Sequence, residues 1–207
     1  MPRAKSYDRK TVLLEAMMVF WARGYERASI AELEKAMEIN RFSIYDAFGD
    51  KKGLFLACIE TYGEEISKRQ TACLLEPGGA AGVQKFFDDL LLLLSGNSNQ
   101  GCLVINTLVD LSGQDSDIDD AITANLRFVE ERMYKAARSA LASGAFVSAE
   151  SPRTLARQLL SVTQTVLAFS KSTHGHPIAR AAVAGLLSSL LPPAPSRAKS
   201  LAAKVAG

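Results

Sequence analysis

Residues 29–54 read SIAELEKAMEINRFSIYDAFGDKKGL. Ser29 has the side chain of a helix N-cap, and Glu32 three positions on completes a capping box. Ile30, Leu33, Ala36 and Met37 then fall on one face of a helix of about two turns. After a break at Glu38 and Ile39, Asn40 offers a second N-cap and residues 41–47 form a second short helix. Phe48, Gly49 and Asp50 stop that helix and cap a longer one that begins near Lys51. Two brief helices joined by a tight turn are a helix-turn-helix.

Upstream, residues 8–23 place Val12, Leu13, Ala16, Met17 and Phe20 on one helical face, and Gly24 supplies a left-handed stop. The first fifty residues therefore encode three helices. Downstream the helical period persists over 51–75, 83–94, 102–111, 118–143, 151–172 and 177–191. Pro77-Gly78-Gly79 breaks the series once, and Ser151-Pro152 opens a helix at the position where proline is tolerated. No strand pattern and no repeat is found. The expected fold is all-α: a three-helix helix-turn-helix head over 1–52, a helical-bundle body over 53–191, and a proline-rich, disordered tail over 192–207.

Among 207 residues, 48% are hydrophobic, enough for a sizeable core. Residues 1–52 carry ten basic against eight acidic side chains, the tail adds Arg197, Lys199 and Lys204, and the stretch between is net acidic. Basic ends suit contact with a polyanion, although the excess is small. Cys58, Cys73 and Cys102 are odd in number and widely spaced, with only His174 and His176 to join them, so no disulfide framework, metal site or cofactor is expected. Neither a signal peptide nor an apolar run of membrane-spanning length is read, which makes the expected location cytoplasmic. Paired carboxylates with a partner, a Ser/His/Asp constellation and a phosphate loop are all missing from the pattern, so an enzyme is not expected. The acidic cluster of Asp117, Asp119 and Asp120 sits where a helix start favours negative charge.

The run 20–30, FWARGYERASI, and the run 40–54, NRFSIYDAFGDKKGL, together resemble the head of the TetR/AcrR family of repressors. The likeness covers about residues 8–56, in the order and spacing of the family pattern. It implies a transcriptional repressor that binds a palindromic double-stranded operator as a homodimer, with the third helix in the major groove. Carried onto matching positions, it implies that Ser29, Tyr45 and Lys51 hold backbone phosphates and that Arg41, Phe42 and Ser43 meet base edges. Arg41 suits guanine and Phe42 a thymine methyl. One position departs: the family's turn usually has glycine where this chain has Glu38, so a left-handed backbone there carries a cost.

For the body, the resemblance implies dimerisation through the last two helices, here 151–172 and 177–191. Leu159, Val162 and Val166 on one, and Ala182, Gly185 and Leu186 on the other, are the expected interface. The segment 101–106, GCLVIN, resembles a signature of one branch of the family. Asn106 is read first as a core amide bonded to neighbouring backbone, and second as a ligand contact. A pocket for an unidentified small molecule is expected among Phe87, Leu91, Cys102, Asn106, Phe128, Met133 and Gln164, with Thr165 nearby. The competing reading is a thiol sensor of redox or metals on the same scaffold, working through Cys102 or the other cysteines.

Overall fold

The computed structural model describes residues 7–95 and 100–192, all of whose regular elements are helices. The tail predicted to be disordered lies, Pro192 apart, outside the described residues. The head is α1 (Arg9–Arg23), α2 (Ile30–Met37) and α3 (Arg41–Phe48). Its boundaries follow local chemistry. The Asp8 carboxylate caps α1 by accepting from Thr11 N–H, Asn40 caps α3 by accepting from Ser43 N–H at 2.9 Å, and Ser29 and Glu32 form the full capping box of α2. Gly24, at φ 77°, ends α1 by donating its N–H to the Phe20 carbonyl.

Helix α4 (Lys51–Tyr62) starts in the head and runs without a linker into the body, so the boundary expected at 52/53 falls inside a helix. It widens into a π-helical turn, Gly63–Ser67, then closes as α5 (Lys68–Gln70) and a 3₁₀ turn, Ala72–Leu74. The body continues with α6 (Gly79–Leu92), α7 (Leu103–Leu111), α8 (Ser116–Ala142), α9 (Pro152–Phe169) and α10 (His176–Leu190). The single helix expected over 51–75 is therefore broken at 71, and α6 begins four residues before the expected 83. The reason is a close tertiary approach: a Cβ on Gly82 would lie 2.3 Å from the Cys73 carbonyl oxygen, so the 3₁₀ turn packs on bare backbone at the start of α6.

Helix α1 lies along α4, α8 packs on both α6 and α9, and α9 packs on α10. Aromatic rings fill the head: Phe20 meets Phe55 edge-on at 4.8 Å, and Tyr25 lies 4.9 Å from Phe55. Trp21 joins head to body. Its ring stands edge-on to Tyr62 at 5.2 Å, and its indole N–H donates to the Gln100 carbonyl at 3.2 Å. Two ionic contacts bridge the same junction. Lys52 Nζ reaches Asp117 at 2.7 Å and Asp115, the N-cap of α8, at 3.1 Å. Lys10 of α1 pairs with Glu65 of the π-helical turn at 2.6 Å.

Candidate nucleic-acid interface and body cavity

The exposed side of α3 is built from its first turns. Ile44 is fully buried beneath it, which turns Arg41, Phe42 and Tyr45 toward solvent. Phe42 is 79% exposed, unusual for a phenylalanine, and Tyr45 is 40% exposed. The two rings stand on the same solvent-facing side of α3 as Arg41. Glu34 of α2 holds the turn from below by accepting the Arg41 N–H, a positioning contact that no local pattern announces. Glu38 takes the left-handed conformation, φ 53° and ψ 31°, where the sequence pattern would prefer glycine. A side chain pays about 1–2 kcal/mol for that backbone. Glu38→Gly is therefore expected to raise the stability of the head by about 1 kcal/mol. Chemical denaturation read on Trp21, the chain's single tryptophan, measures it; an unchanged or lower stability would contradict the strain.

The three residues expected to grip phosphates are differently placed. Tyr45 presents its phenol to solvent. The Ser29 hydroxyl donates to the Glu32 carboxylate at 2.9 Å and accepts from the Glu32 N–H at 3.2 Å. A phosphate arriving there competes with Glu32, whose carboxyl the Ser29 N–H and hydroxyl hold below its ordinary range. Lys51 is half-buried, with Nζ 4.6 Å from the Tyr25 ring centre and donating to the Glu26 carbonyl at 3.3 Å. The charge of Lys51 is thus anchored on the head, with donors to spare.

The seven residues expected to line one pocket do not come together. Cys102 and Gln164 line a small inner cavity among α4, α8 and α9, whereas Phe128 lines a separate outer groove between α4 and α8. Phe87 and Met133 are fully buried core side chains, and Leu91 and Asn106 line neither space. Asn106 donates its amide to the Gln100 carbonyl at 2.9 Å, the backbone partner of the first reading. Periodicity places a residue on an inner face without saying whether that face meets a void or another helix.

The interface residues need a similar correction. Leu159 and Val166 are buried in this protomer's own core, because α9 turns that face onto its neighbours. Val162, Ala182 and Leu186 are only partly covered, and Gly185 is exposed with nothing within 4 Å of an added Cβ. Ile178 and Ala181 continue that outer stripe of α10.

All three thiols are buried. Burial pushes Cys58, Cys73 and Cys102 above the ordinary thiol range, away from the reactive thiolate. Tyr62 donates its phenol to Cys102 Sγ at 3.3 Å. Among the described residues, no group of three or more His, Cys, Asp and Glu side chains is placed to hold a metal, and no helix is long and apolar enough to cross a membrane. Lys52 escaped the sequence reading altogether, since its carboxylate partners lie 63 and 65 positions away. Those carboxylates hold its ammonium above the usual lysine range, and Lys52 in turn holds Asp115 below the usual carboxylate range.

Comparison with known proteins places this geometry. Residues 12–58 match the family model of bacterial regulatory proteins, tetR family, and residues 79–185 match that of the tetracyclin repressor-like C-terminal domain. The HTH-type transcriptional repressor ComR of Escherichia coli is 30% identical over 136 residues, 64% of this chain and 65% of ComR, so the match spans just under two thirds of that protein. An uncharacterized HTH-type regulator of Bacillus subtilis, YezE, is 27% identical over 65% of this chain and 70% of its own. A cysteine mutant of the TetR family regulator CifR, solved in complex with a 26 bp double-strand operator DNA, superposes with TM-score 0.78 at 28% identity, over 90% of this chain and 99% of CifR. The reduced form of Escherichia coli NemR shares the fold at TM-score 0.76 and 20% identity, over 90% of this chain and 98% of NemR. With both halves of the chain matched, in order and over most of its length, the protein belongs to the TetR family of bacterial regulatory proteins.

Proposed function

We propose that this chain is a transcriptional repressor that binds a palindromic operator as a homodimer in the cytoplasm and lets go when a small molecule enters its body. The carrying observation is the exposed first turn of α3, where Arg41, Phe42 and Tyr45 face solvent over a buried Ile44. Such a helix fits the major groove, with Arg41 aimed at a guanine edge, Phe42 at a thymine methyl, Ser43 beside them, and Tyr45 and Lys51 at phosphates. Ser29 joins the phosphate contacts if Glu32 yields its hydroxyl. The relatives support the reading, since ComR is described as a repressor and CifR is seen on operator DNA.

Two heads are needed because one is only weakly basic. A dimer through the outer faces of α9 and α10 sets them about 34–36 Å apart, one helical turn of DNA. The outer stripe of Ile178, Ala181, Ala182 and Gly185 favours close approach of two α10 helices. A molecule that binds better to a body holding the heads at another spacing weakens DNA affinity by that difference.

A gel shift on the DNA upstream of the chain's own gene tests the proposal. Arg41→Ala is expected to cost about tenfold or more in affinity and to relax sequence preference, as losing one bidentate base contact does. Tyr45→Phe should weaken binding by a smaller factor, uniformly across sequences. No sequence-selective shift, or no effect of either change, overturns it.

A further inference from the structure

The segment 101–106, GCLVIN, lies in the body, yet its marked residues converge on one point beside the head, the Gln100 carbonyl oxygen. That oxygen accepts twice. Asn106 of α7 donates to it at 2.9 Å, and the Trp21 indole of α1 donates to it at 3.2 Å. A carbonyl has two lone pairs, so the two donors fill it without competing. Both bonds are partly buried and uncharged, unlike the exposed Lys10–Glu65 pair at the same junction.

Gly101 fixes where this oxygen points. Its φ is 67°, and a Cβ there would stand 3.1 Å from Lys171 Cε, 3.2 Å from the Leu167 carbonyl oxygen and 3.4 Å from Asn106 Oδ1. The turn is thus wedged between the end of α9 and Asn106, in a conformation that suits glycine. The next residue, Cys102, starts α7 and accepts the Tyr62 phenol at its Sγ. Tyr62 is the ring that stands edge-on to Trp21, so both of these contacts of Trp21 lead back to residues 100–102. Helix α1 packs on α2 within the head, and α9 packs on α10 within the body. Head and body therefore share one seat, the Gln100 turn.

We propose that Asn106 is a positioning residue for operator binding: together with Gly101 it sets the Gln100 carbonyl as a latch that, through Trp21, fixes the angle of the head against α9. The proposal rests on the dimeric-operator reading above, in which α9 and α10 join the subunits and two heads must arrive one helical turn of DNA apart. A head free to tilt still meets one half-site, but two such heads meet both half-sites together less often. The latch thus acts on paired binding and leaves the contacts of α3 untouched.

The test is titration of the full chain with the upstream operator fragment and with the same fragment cut to one half-site. Asn106→Leu keeps the volume and removes the donor. Its affinity for the full operator is expected to fall about five- to tenfold, the net effect of one lost hydrogen bond, while its half-site affinity stays at the wild-type value. Trp21→Phe keeps a ring beside Tyr62, loses the N–H, and is expected to show the same selective loss. The double variant should lose little more than either single one, because both changes open one latch. Without DNA, the emission of Trp21, the chain's single tryptophan, is expected to move to longer wavelength in Asn106→Leu as the indole leaves its seat. Unchanged full-operator affinity in both single variants, equal losses on operator and half-site in both, additive losses in the double variant, or an unshifted Trp21 emission overturns the latch. If the wild type binds an operator and the variants match it, the latch falls alone. If the wild type binds none, the regulator reading falls and the latch with it.

Discussion

Gly53→Ala is expected to cut operator affinity at least tenfold and to destabilise the head by about 1–3 kcal/mol, the range for forcing a methyl into packed structure. A Cβ at this position would stand 2.1 Å from the Phe48 carbonyl oxygen and 3.3 Å from its carbon. Both are backbone atoms, so no side chain can swing away. Relief requires the end of α3 to separate from the start of α4. That movement breaks two contacts that fix the reading helix: the Gly49 N–H bonded to the Tyr45 carbonyl at 2.8 Å, and the Asp50 carboxylate accepting the Gly53 N–H at 2.7 Å. Arg41, Phe42 and Tyr45 keep their identities but lose their aim. Operator titration together with circular dichroism checks the prediction, since the body's helices should survive. Wild-type affinity in a folded variant would disprove the role of this junction.

The second large effect is on stability. Phe20→Ala should lower the unfolding free energy by about 3–5 kcal/mol, as removal of a buried aromatic ring does. Phe20 is wholly buried and stands between Phe55, at 4.8 Å, and Tyr25, at 6.3 Å. These rings join α1 to α4, so the cavity opens where the head meets the helix that carries it. Trp21 is the adjacent residue, and its fluorescence reports the loss in a denaturant titration. A drop below about 1 kcal/mol would mean that the neighbouring rings close the gap.

Much of the head was legible because its signals are local. Ser29 with Glu32, Asn40, Asp50 and Gly24 each act within a turn of the helix that they start or stop, and each does so in the structure. Glu38 was legible as a departure, and its backbone is left-handed. The body was legible as a set of helices but not as a set of faces. Leu159 and Val166 share helical spacing with Val162, yet an offset of about a sixth of a turn or less decides which of them meets the protomer's own core. The π-helical turn in α4 and the early start of α6 answer to residues distant in sequence, Asn125 for Gly63 and Cys73 for Gly82, and no nearby signal records them. Cys102 and Gln164, read apart in the sequence, border one small cavity, while the Ser67–Asn125 bond beside it is a contact across 58 positions.

The Lys52 bridge to Asp115 and Asp117 bears on how salt experiments with this protein are to be interpreted. All three side chains keep part of their surface in water, so dissolved ions screen them, with a reach of about 10 Å at 0.1 M. Operator affinity falls with salt in proportion to the phosphates neutralised. Here added salt also loosens the strut between reading head and body, which tightens nothing on the DNA but widens the range of angles at which the head arrives. The logarithmic slope thus contains a mechanical contribution beside the ionic one, and the number of phosphates inferred from it is an upper bound.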